Sequence, residues 1–391
     1  MDHLDGRYLP LLFLLATSIF GPLAAVRLRL PTAVVLILVG MGLGPGGTGL
    51  LHVNDLVSFL AEFGFLVLMF MAGMEIDFDS LRTAGHSSLR VPFLLVTCIF
   101  ALAFAGSFVL RMGGVGVLAI SAMSVGMPLA MLKETNQDTA PLGRFVMLTA
   151  SVGEFFCILG ITALELLSKG PLGIHTALHI LKVAALFVIS VLIIRWVRAL
   201  VWWHPEPLRR LIGKHDVAEL GVRVGLAIML LFVVFSALAG VEAILGAFIG
   251  GALLGVVLRQ KRSLETKIGA LGNGLFIPIF FIVVGVRFDI RALAWPSVRH
   301  ALLIAAVAGV AKILPSLLVA ERGTSYRNRL GAGFLLASPL TLLVAIAAIG
   351  DKLRLIDSQT QASLVLVALL VSVLFPTTFK LVVHGKHAKQ P

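Results

Sequence analysis

Long apolar runs, separated by short connectors rich in charge, glycine and proline, fill the chain from end to end. A helix needs about 20 mostly apolar residues to cross the hydrocarbon core of a bilayer, and runs of that length recur throughout. The pattern predicts thirteen helices, with approximate limits at residues 8–26, 31–47, 57–76, 89–111, 115–133, 141–168, 175–198, 217–239, 242–259, 268–287, 299–320, 329–350 and 362–384. The sequence therefore predicts an all-α polytopic membrane protein with a single transmembrane domain over residues 1–390, whose last residues, 385–391, form a short cytosolic tail.

Composition supports this class, because 59% of the residues are hydrophobic and only 13% are charged. The net charge of +12 would suggest nucleic-acid binding in a soluble chain, but here the basic residues cluster in short loops such as 209–214 and 259–262. Cations concentrate in the cytoplasmic loops of membrane proteins, and placing the N-terminus outside puts most of them there. We therefore expect an outside N-terminus, a cytoplasmic C-terminus, no nucleic-acid partner and no removable signal peptide.

Two ionisable residues, Glu154 and Lys312, lie near the middle of apolar runs. Insertion scales put a lone charge at that depth at roughly 3 kcal/mol unfavourable, so such residues usually pair, titrate or line water. One acid and one base at the midplane predict an ion pathway with a switchable pair. Two structural alternatives stay open: Glu154 held neutral by a hydrogen bond to Ser151, and Lys312 acting as a structural clamp. Glu165 and Glu242 lie near span ends, which favours anchoring or capping.

An internal repeat relates the third and tenth spans, FLVLMFMAGMEIDFDSL at 65–81 and IPIFFIVVGVRFDIRAL at 277–293. At an offset of 212 residues Gly73 matches Gly285 and Asp77 matches Asp289. Matching spans are seven apart, an odd number, so the second copy must cross the membrane in the opposite direction. The sequence predicts inverted-topology repeats at 57–168 and 268–384.

The same offset, within one residue, pairs Pro128 with Pro339, each inside an apolar span. Proline removes a backbone donor and disrupts a helix interior, and glycine lowers helix stability further. Transporters with inverted repeats use paired broken helices to build a binding site at the midplane. We therefore expect two broken, crossing helices, although both prolines as simple kinks remain an alternative. The residues expected at the crossing are Ser124, Gly126, Pro128, Ser338, Pro339 and Thr341.

Other chemistry is poorly represented in the sequence. The two cysteines, Cys98 and Cys157, both lie inside predicted spans, which indicates neither a disulfide framework nor a metal site. No phosphate-binding glycine loop, metal-ligand cluster or nucleophile triad is evident. We expect no enzyme activity, no cofactor and no metal beyond a transported cation.

Three segments resemble signature spans of the bacterial monovalent cation:proton antiporter-2 family, which contains sodium/proton and potassium/proton exchangers. LAEFGFLVLMFMAGMEIDF at 60–78 resembles the family's third span, LGAFIGGALLG at 245–255 its ninth, and IPIFFIVVGVRFDI at 277–290 its tenth. The resemblance covers nearly the whole chain. It implies a sodium/proton antiporter-like fold, a homodimer and a location in the bacterial inner membrane.

The resemblance also assigns residues. The family's essential carboxylate on the sixth span matches Glu154, and a lysine found in the eleventh span of many members matches Lys312. Relatives often carry Asp, Asn or Gln before the carboxylate, where this chain has Gly153, and Arg-Gly-Glu after the Ser-Pro of the twelfth span, where it has residues 340–342, Leu-Thr-Leu. An appended cytosolic nucleotide-binding domain, present in some relatives, is not expected.

Together these features predict a secondary transporter that exchanges Na⁺ or K⁺ for protons by alternating access. Glu154, with Ser151, is the expected cation and proton ligand, and Lys312 the charge partner. A core of residues 89–168 and 299–384 is expected to move against the remaining spans. Two other functions stay open: a gated cation channel or sensor on the same scaffold, and a symporter of a small organic anion in which Lys312 binds the anion.

Overall fold

The computed structural model describes residues 8–75, 85–168, 219–258, 262–288, 295–319 and 325–384, apart from 29, 139 and 241, together with isolated positions between 181 and 195. Helices account for nearly all of these residues. They are α1 (Tyr8–Leu28), α2 (Thr32–Leu43), α3 (Asp55–Met74), α4 (Gly85–Leu110), α5 (Gly113–Ser121), α6 (Gly126–Glu134), α7 (Pro141–Ser168), α8 (Leu220–Leu238), α9 (Ala243–Leu258), α10 (Arg262–Leu271), α11 (Ile277–Arg287), α12 (Trp295–Leu318), α13 (Tyr326–Leu336), α14 (Leu340–Lys352) and α15 (Ser358–His384). A π-helical turn, Gly272–Phe276, joins α10 to α11.

The predicted all-α membrane fold is confirmed. In the described part of the chain, ten helical segments are long and apolar enough to cross a membrane, with α5–α6 and α13–α14 each counted as one interrupted span. Two shorter apolar helices, α2 and α9, accompany them. The predicted span at 175–198 is described only at isolated positions and the tail at 385–391 lies outside the described residues, so the total of thirteen spans stays a prediction.

Side-chain caps begin several of these helices. The Asn54 side chain accepts a hydrogen bond from the amide of Val57 (2.8 Å), and the Ser325 hydroxyl accepts one from Asn328 (3.3 Å). Each cap satisfies one of the first-turn amides, which have no partner inside their own helix. The polar connectors between apolar runs therefore set where α3 and α13 start.

The chain forms two compact units, and each contains residues from both halves of the sequence. The first comprises Met1–Ile76 and Glu165–Phe288, and the second comprises Asp77–Leu164 and Asp289–Pro391. The predicted core spans, 89–168 and 299–384, fall almost entirely within the second unit. The division of the chain into a moving core and a scaffold stays a prediction, and so do the limits of the two repeats.

Two glycine-rich interfaces hold the first unit together, one between α2 and α11 and one between α3 and α9. In each, glycine Cα atoms contact backbone carbonyl oxygens of the facing helix so closely that a Cβ would not fit. The contacts in the first interface are Gly40 with Ile282, Gly44 with Val286 and Gly285 with Ile37, and those in the second are Gly251 with Phe70, Gly255 with Met74 and Gly73 with Phe248. Small residues allow this close backbone approach between membrane helices.

The six contacts are related to one another by the internal repeat. Every residue of the first interface maps onto its counterpart in the second by a shift of 211 or 212 positions; for example, Gly44 with Val286 corresponds to Gly255 with Met74. A Cβ at Gly44 would lie 2.7 Å from the Val286 oxygen, and one at Gly255 2.8 Å from the Met74 oxygen. The same shift therefore relates α2 to α9 as well as α3 to α11.

The second unit contains both interrupted spans. α5 contacts α14, and α6 contacts α13, so the first half of each span packs against the second half of the other. This arrangement requires the two spans to run in opposite directions, as an inverted repeat demands. A buried apolar core surrounds them, with Leu95, Val146, Leu335 and Phe379 contributed by α4, α7, α13 and α15.

Candidate functional site

The first helix break covers residues 122–125, between α5 and α6. It lies slightly before the predicted segment, Ser124 to Pro128, because the helix already resumes at Gly126. Pro128 therefore belongs to the first turn of α6, where its missing amide costs no intrahelical hydrogen bond. Ser124 lies within the break and is buried.

The second break covers residues 337–339, between α13 and α14. Ser338 and Pro339 lie in it, and Thr341 is in the first turn of α14. Local hydrogen bonds satisfy much of the break: the Ser338 hydroxyl donates to the carbonyl of Leu335 (2.7 Å), and the Ala337 amide donates to the carbonyl of Gly333 (3.0 Å). Both interrupted spans were thus predicted, and Pro339 marks its break more closely than Pro128 does.

Glu154 lies in the middle of α7, and only 1% of its surface is exposed. Its Oε2 accepts a hydrogen bond of 3.0 Å from the backbone amide of Val125, the last residue of the first break. Val125 directly precedes α6, so the carboxylate lies at the N-terminal end of that half-helix, where the helix dipole is positive. The fold therefore brings the predicted acid to the predicted break. Ser151 is buried one turn earlier on α7, and its role as a ligand stays a prediction.

Gly153, immediately before Glu154, faces the side chain of Met123 in the first break. A Cβ at position 153 would lie 2.7 Å from Met123 Sδ and 3.2 Å from Met123 Cβ. Met123 is fully buried. The thioether therefore occupies the space that any side chain at position 153 would enter.

Lys312 is fully buried on α12, and within the described residues its Nζ has no hydrogen-bond partner. The next residue, Ile313, packs with its Cα against Gly333 in the last turn of α13. A Cβ added at Gly333 would lie 2.8 Å from the Ile313 Cα. Lys312 is thus placed beside the helix end that leads into the second break. Burying an ammonium group without a hydrogen-bond partner costs free energy. Ionisable residues buried in this way within membrane spans are typical of functional sites.

Cys157 lies on α7 one turn after Gly153 and is fully buried. Its Sγ lies 3.9 Å from the Ser121 hydroxyl at the end of α5, and the side chain lies near both Glu154 and Lys312. The sequence alone indicated only packing for this residue. The structure places its sulfur among the groups that surround the predicted acid and base.

Glu165 has a different environment from Glu154, although both are buried on α7. Its Oε2 accepts a hydrogen bond of 3.0 Å from the amide of Glu242, which immediately precedes α9. This bond agrees with the anchoring or capping role expected from its position near a span end.

Comparison with known proteins agrees with this architecture. The sequence profile of the family described as "Sodium/hydrogen exchanger, transmembrane" matches residues 13–385. The chain is 28% identical over 376 residues to the Bacillus subtilis protein YjbQ, covering 90% of this chain and 59% of YjbQ. It is 27% identical to the Na(+)/H(+)-K(+) antiporter GerN of Bacillus cereus, covering 94% of each protein.

The fold is also that of a solved structure. The sodium proton antiporter MjNhaP1 from Methanocaldococcus jannaschii superposes with a TM-score of 0.64 at 14% sequence identity, covering 95% of each chain. That identity supports a common fold and no more. Because the family profile spans nearly the whole sequence, the chain belongs to the sodium/hydrogen exchanger family.

Proposed function

We propose that this protein exchanges Na⁺ or K⁺ for protons across a membrane by alternating access, with Glu154 as the shared ligand. The observation that carries the proposal is the hydrogen bond from the Val125 amide to the buried Glu154 carboxylate. It joins the acid to an unwound segment in a chain of the exchanger family. Broken helices of this kind supply backbone dipoles and carbonyls to ions in transporters.

Opposing effects on Glu154 support reversible exchange. The Val125 amide and the N-terminus of α6 stabilise the ionised carboxylate, which is the form that binds a cation. Burial disfavours the same ionised form and therefore favours proton binding. Since one carboxylate holds either a proton or a cation, binding of one requires release of the other. Exposure to each side of the membrane in turn would convert this competition into antiport.

Lys312 is the charge partner in this proposal. Its side chain is fully buried and lies near Cys157, which is on the helix that carries Glu154. If cation binding displaces a proton from Lys312 as well as from Glu154, exchange is electrogenic; if Lys312 stays charged throughout, exchange is electroneutral. Flux measured with and without an imposed membrane potential separates the two stoichiometries.

Several finer features belong to the same proposal. The basic loops support an outside N-terminus and a cytoplasmic C-terminus in a bacterial inner membrane. Ser151 is proposed as a second ligand because it lies one turn before Glu154 and is buried. A homodimer is proposed from the family resemblance. The name of GerN, which includes both sodium and potassium, supports keeping both cations as candidates.

The test compares Glu154→Gln with Glu165→Gln in proteoliposomes. Both residues are buried glutamates on α7 that accept a hydrogen bond from a backbone amide. Glutamine retains a carbonyl oxygen that can accept the same bond. We expect Glu154→Gln to abolish proton efflux driven by Na⁺ or K⁺, since glutamine neither binds a proton nor carries charge. Glu165→Gln should retain most of the flux, because its role is to cap α9.

Three results would contradict the proposal. Substantial cation-driven proton flux through Glu154→Gln would remove the acid from the mechanism. Cation flux through the wild type without coupled proton movement would favour a channel or sensor. Dissipation of the pH gradient by a small organic carboxylate, and by neither Na⁺ nor K⁺, would favour the anion symporter.

A further inference from the structure

We propose that Met123 determines cation specificity: its thioether, packed against Gly153 in the break that binds Glu154, borders the bound cation and disfavours the smaller ions, Li⁺ and Na⁺, relative to K⁺. This inference rests on the proposed function and adds a selectivity residue to the same site. Met123 lies in the first break, two residues before the amide that binds Glu154. In the sequence Met123 is an ordinary apolar residue of an apolar run, and nothing there distinguishes it as a site residue.

The geometry begins with the contact between Met123 and Gly153. Met123 is fully buried, and its Sδ and Cβ lie 2.7 and 3.2 Å from where a Cβ at position 153 would be. The residue next to the proposed ligand therefore has no side chain, and a methionine from the first break fills its place. Met123 and Gly153 are complementary, and a thioether fills the space where a side chain at position 153 would lie.

A second sulfur lies on the same face of α7 as Gly153. Cys157 follows Gly153 by one helical turn, and its Sγ lies near Ser121, the last residue of α5. Met123 and Cys157 therefore place two soft, polarisable sulfurs near the first break, beside the hydroxyl of Ser121. Alkali cations are hard ions that prefer oxygen ligands, so neither sulfur replaces a lost water effectively.

The consequence for selectivity follows from dehydration. A cation that binds Glu154 loses water on the Met123 side and gains no oxygen there. Small ions hold their water most strongly, so Li⁺ and Na⁺ lose more than K⁺ at such a site. An oxygen ligand placed at position 123 would restore part of that loss and would help the smaller ions most.

The experiment compares Met123→Gln with Met123→Leu in proteoliposomes. Both replacements are close to methionine in size, and only glutamine adds a carbonyl oxygen. The measured quantity is the KM for Li⁺, Na⁺ and K⁺ in cation-driven proton efflux. We expect Met123→Gln to lower the KM for Na⁺ relative to that for K⁺ by about threefold or more, which is within the range of one ion–dipole contact. Met123→Leu should keep the wild-type ratio.

A second pair decides the question if glutamine prevents folding. Threonine and valine have the same shape and differ by one hydroxyl, so Met123→Thr should shift the ratio toward Na⁺ relative to Met123→Val. Equal ratios in both matched pairs, or a uniform change for all cations, would overturn the inference and leave Met123 as a packing residue. A wild type that shows no cation-driven proton flux would instead overturn the proposed function.

The contact itself has an independent test that does not involve transport. Gly153→Ala should lower the thermal unfolding temperature of the purified protein, because the added methyl group displaces Met123. In a Met123→Ala background the same change should be nearly neutral. Additive effects would show that residues 123 and 153 do not share the space that the inference assigns to them.

Discussion

The two compact units differ in how far they keep the symmetry of the repeat. In the first unit each glycine contact of the α2–α11 interface has its counterpart in the α3–α9 interface. In the second unit both broken spans are interrupted within a few residues of matching positions. The buried charges, Glu154 and Lys312, have no charged counterpart in the other repeat. The positions that correspond to Glu154 are Val365 and Leu366, and those that correspond to Lys312 are Phe100 and Ala101.

This difference has a physical reason. Close helix packing needs only a small residue opposite a backbone carbonyl, and both copies of the repeat satisfy that condition equally. An exchange site needs one acid at one helix end, because a second buried acid would add a further desolvation cost and repel the first. The two repeats therefore remain similar where close backbone packing constrains the residue, and they differ where a buried charge is required.

Removing the amide at the first break should strongly reduce transport. Val125 has φ of −82°, close to the value that proline imposes, so Val125→Pro removes the donor to Glu154 with little change in backbone angle. We expect transport to fall by about 10- to 100-fold, the loss of one hydrogen bond to a charged group. Val125→Ala, which keeps the amide, is the matched control. Proton efflux in proteoliposomes is the measurement.

Pro339→Ala makes the corresponding change at the second break, where it adds an amide instead of removing one. Because local hydrogen bonds already satisfy much of that break, we expect near-normal transport and a stability change of about 0.5 kcal/mol. Equal losses of transport from Val125→Pro and Pro339→Ala would show that the two breaks contribute alike, against the asymmetry described above.

The glycine interfaces should respond in parallel. Gly40→Ala and Gly251→Ala each place a methyl group against a backbone carbonyl that cannot move aside, and we expect each to cost about 3 kcal/mol. Gly42, on the same helix as Gly40, has no atom within 4 Å of its Cβ position, so Gly42→Ala should be neutral or stabilising. Thermal unfolding in detergent measures all three. A tolerated Gly251→Ala beside a damaging Gly40→Ala would break the symmetry of the first unit.

A double-mutant cycle tests whether Lys312 is the charge partner of Glu154. Glu154→Gln and Lys312→Met each leave the other group without its counter-charge, so the double variant should lose less stability than the two single variants combined. We expect a coupling of about 1 kcal/mol, measured by chemical or thermal unfolding. Additive losses would mean that the acid and the base act independently.

The smallest effect should come from a carboxylate that caps a helix in water. Asp357 precedes α15 and accepts a hydrogen bond from the Thr360 amide (3.0 Å), and hydrogen bonds from Thr360 lower its pKa from the ordinary value near 3.8. A lowered pKa adds stability above pH 4, and this contribution disappears as the pH falls through the folded-state pKa. Because the residue is exposed, solvent screening limits the effect to about 0.5 kcal/mol.

Asp357→Asn should therefore be slightly less stable than the wild type at pH 7, and the difference should shrink below pH 4. Unfolding of both proteins from pH 7 to pH 3 provides the measurement. A difference that grows as the pH falls would contradict the assigned hydrogen bond.

Most of the fold could be predicted from the sequence. Apolar runs located the membrane helices because a bilayer requires their length, and matched prolines located both interrupted spans within a few residues. The position of the first break was less accurate, because proline is tolerated in the first turn of a helix and Pro128 lies in that turn. Gly40 and Gly251 gave no signal alone, since glycine is common throughout this chain.

The sequence by itself determined the membrane class, the inverted repeat and the buried acid and base, because each depends on local composition or on a comparison along the chain. Only the tertiary structure showed that Val125 donates to Glu154, that Met123 occupies the space beside Gly153, and that Cys157 lies near both charges. These relations join residues from different helices, and hydrophobic periodicity carries no information about which backbone amide or sulfur will face a given side chain. Such contacts are fixed by how whole helices pack.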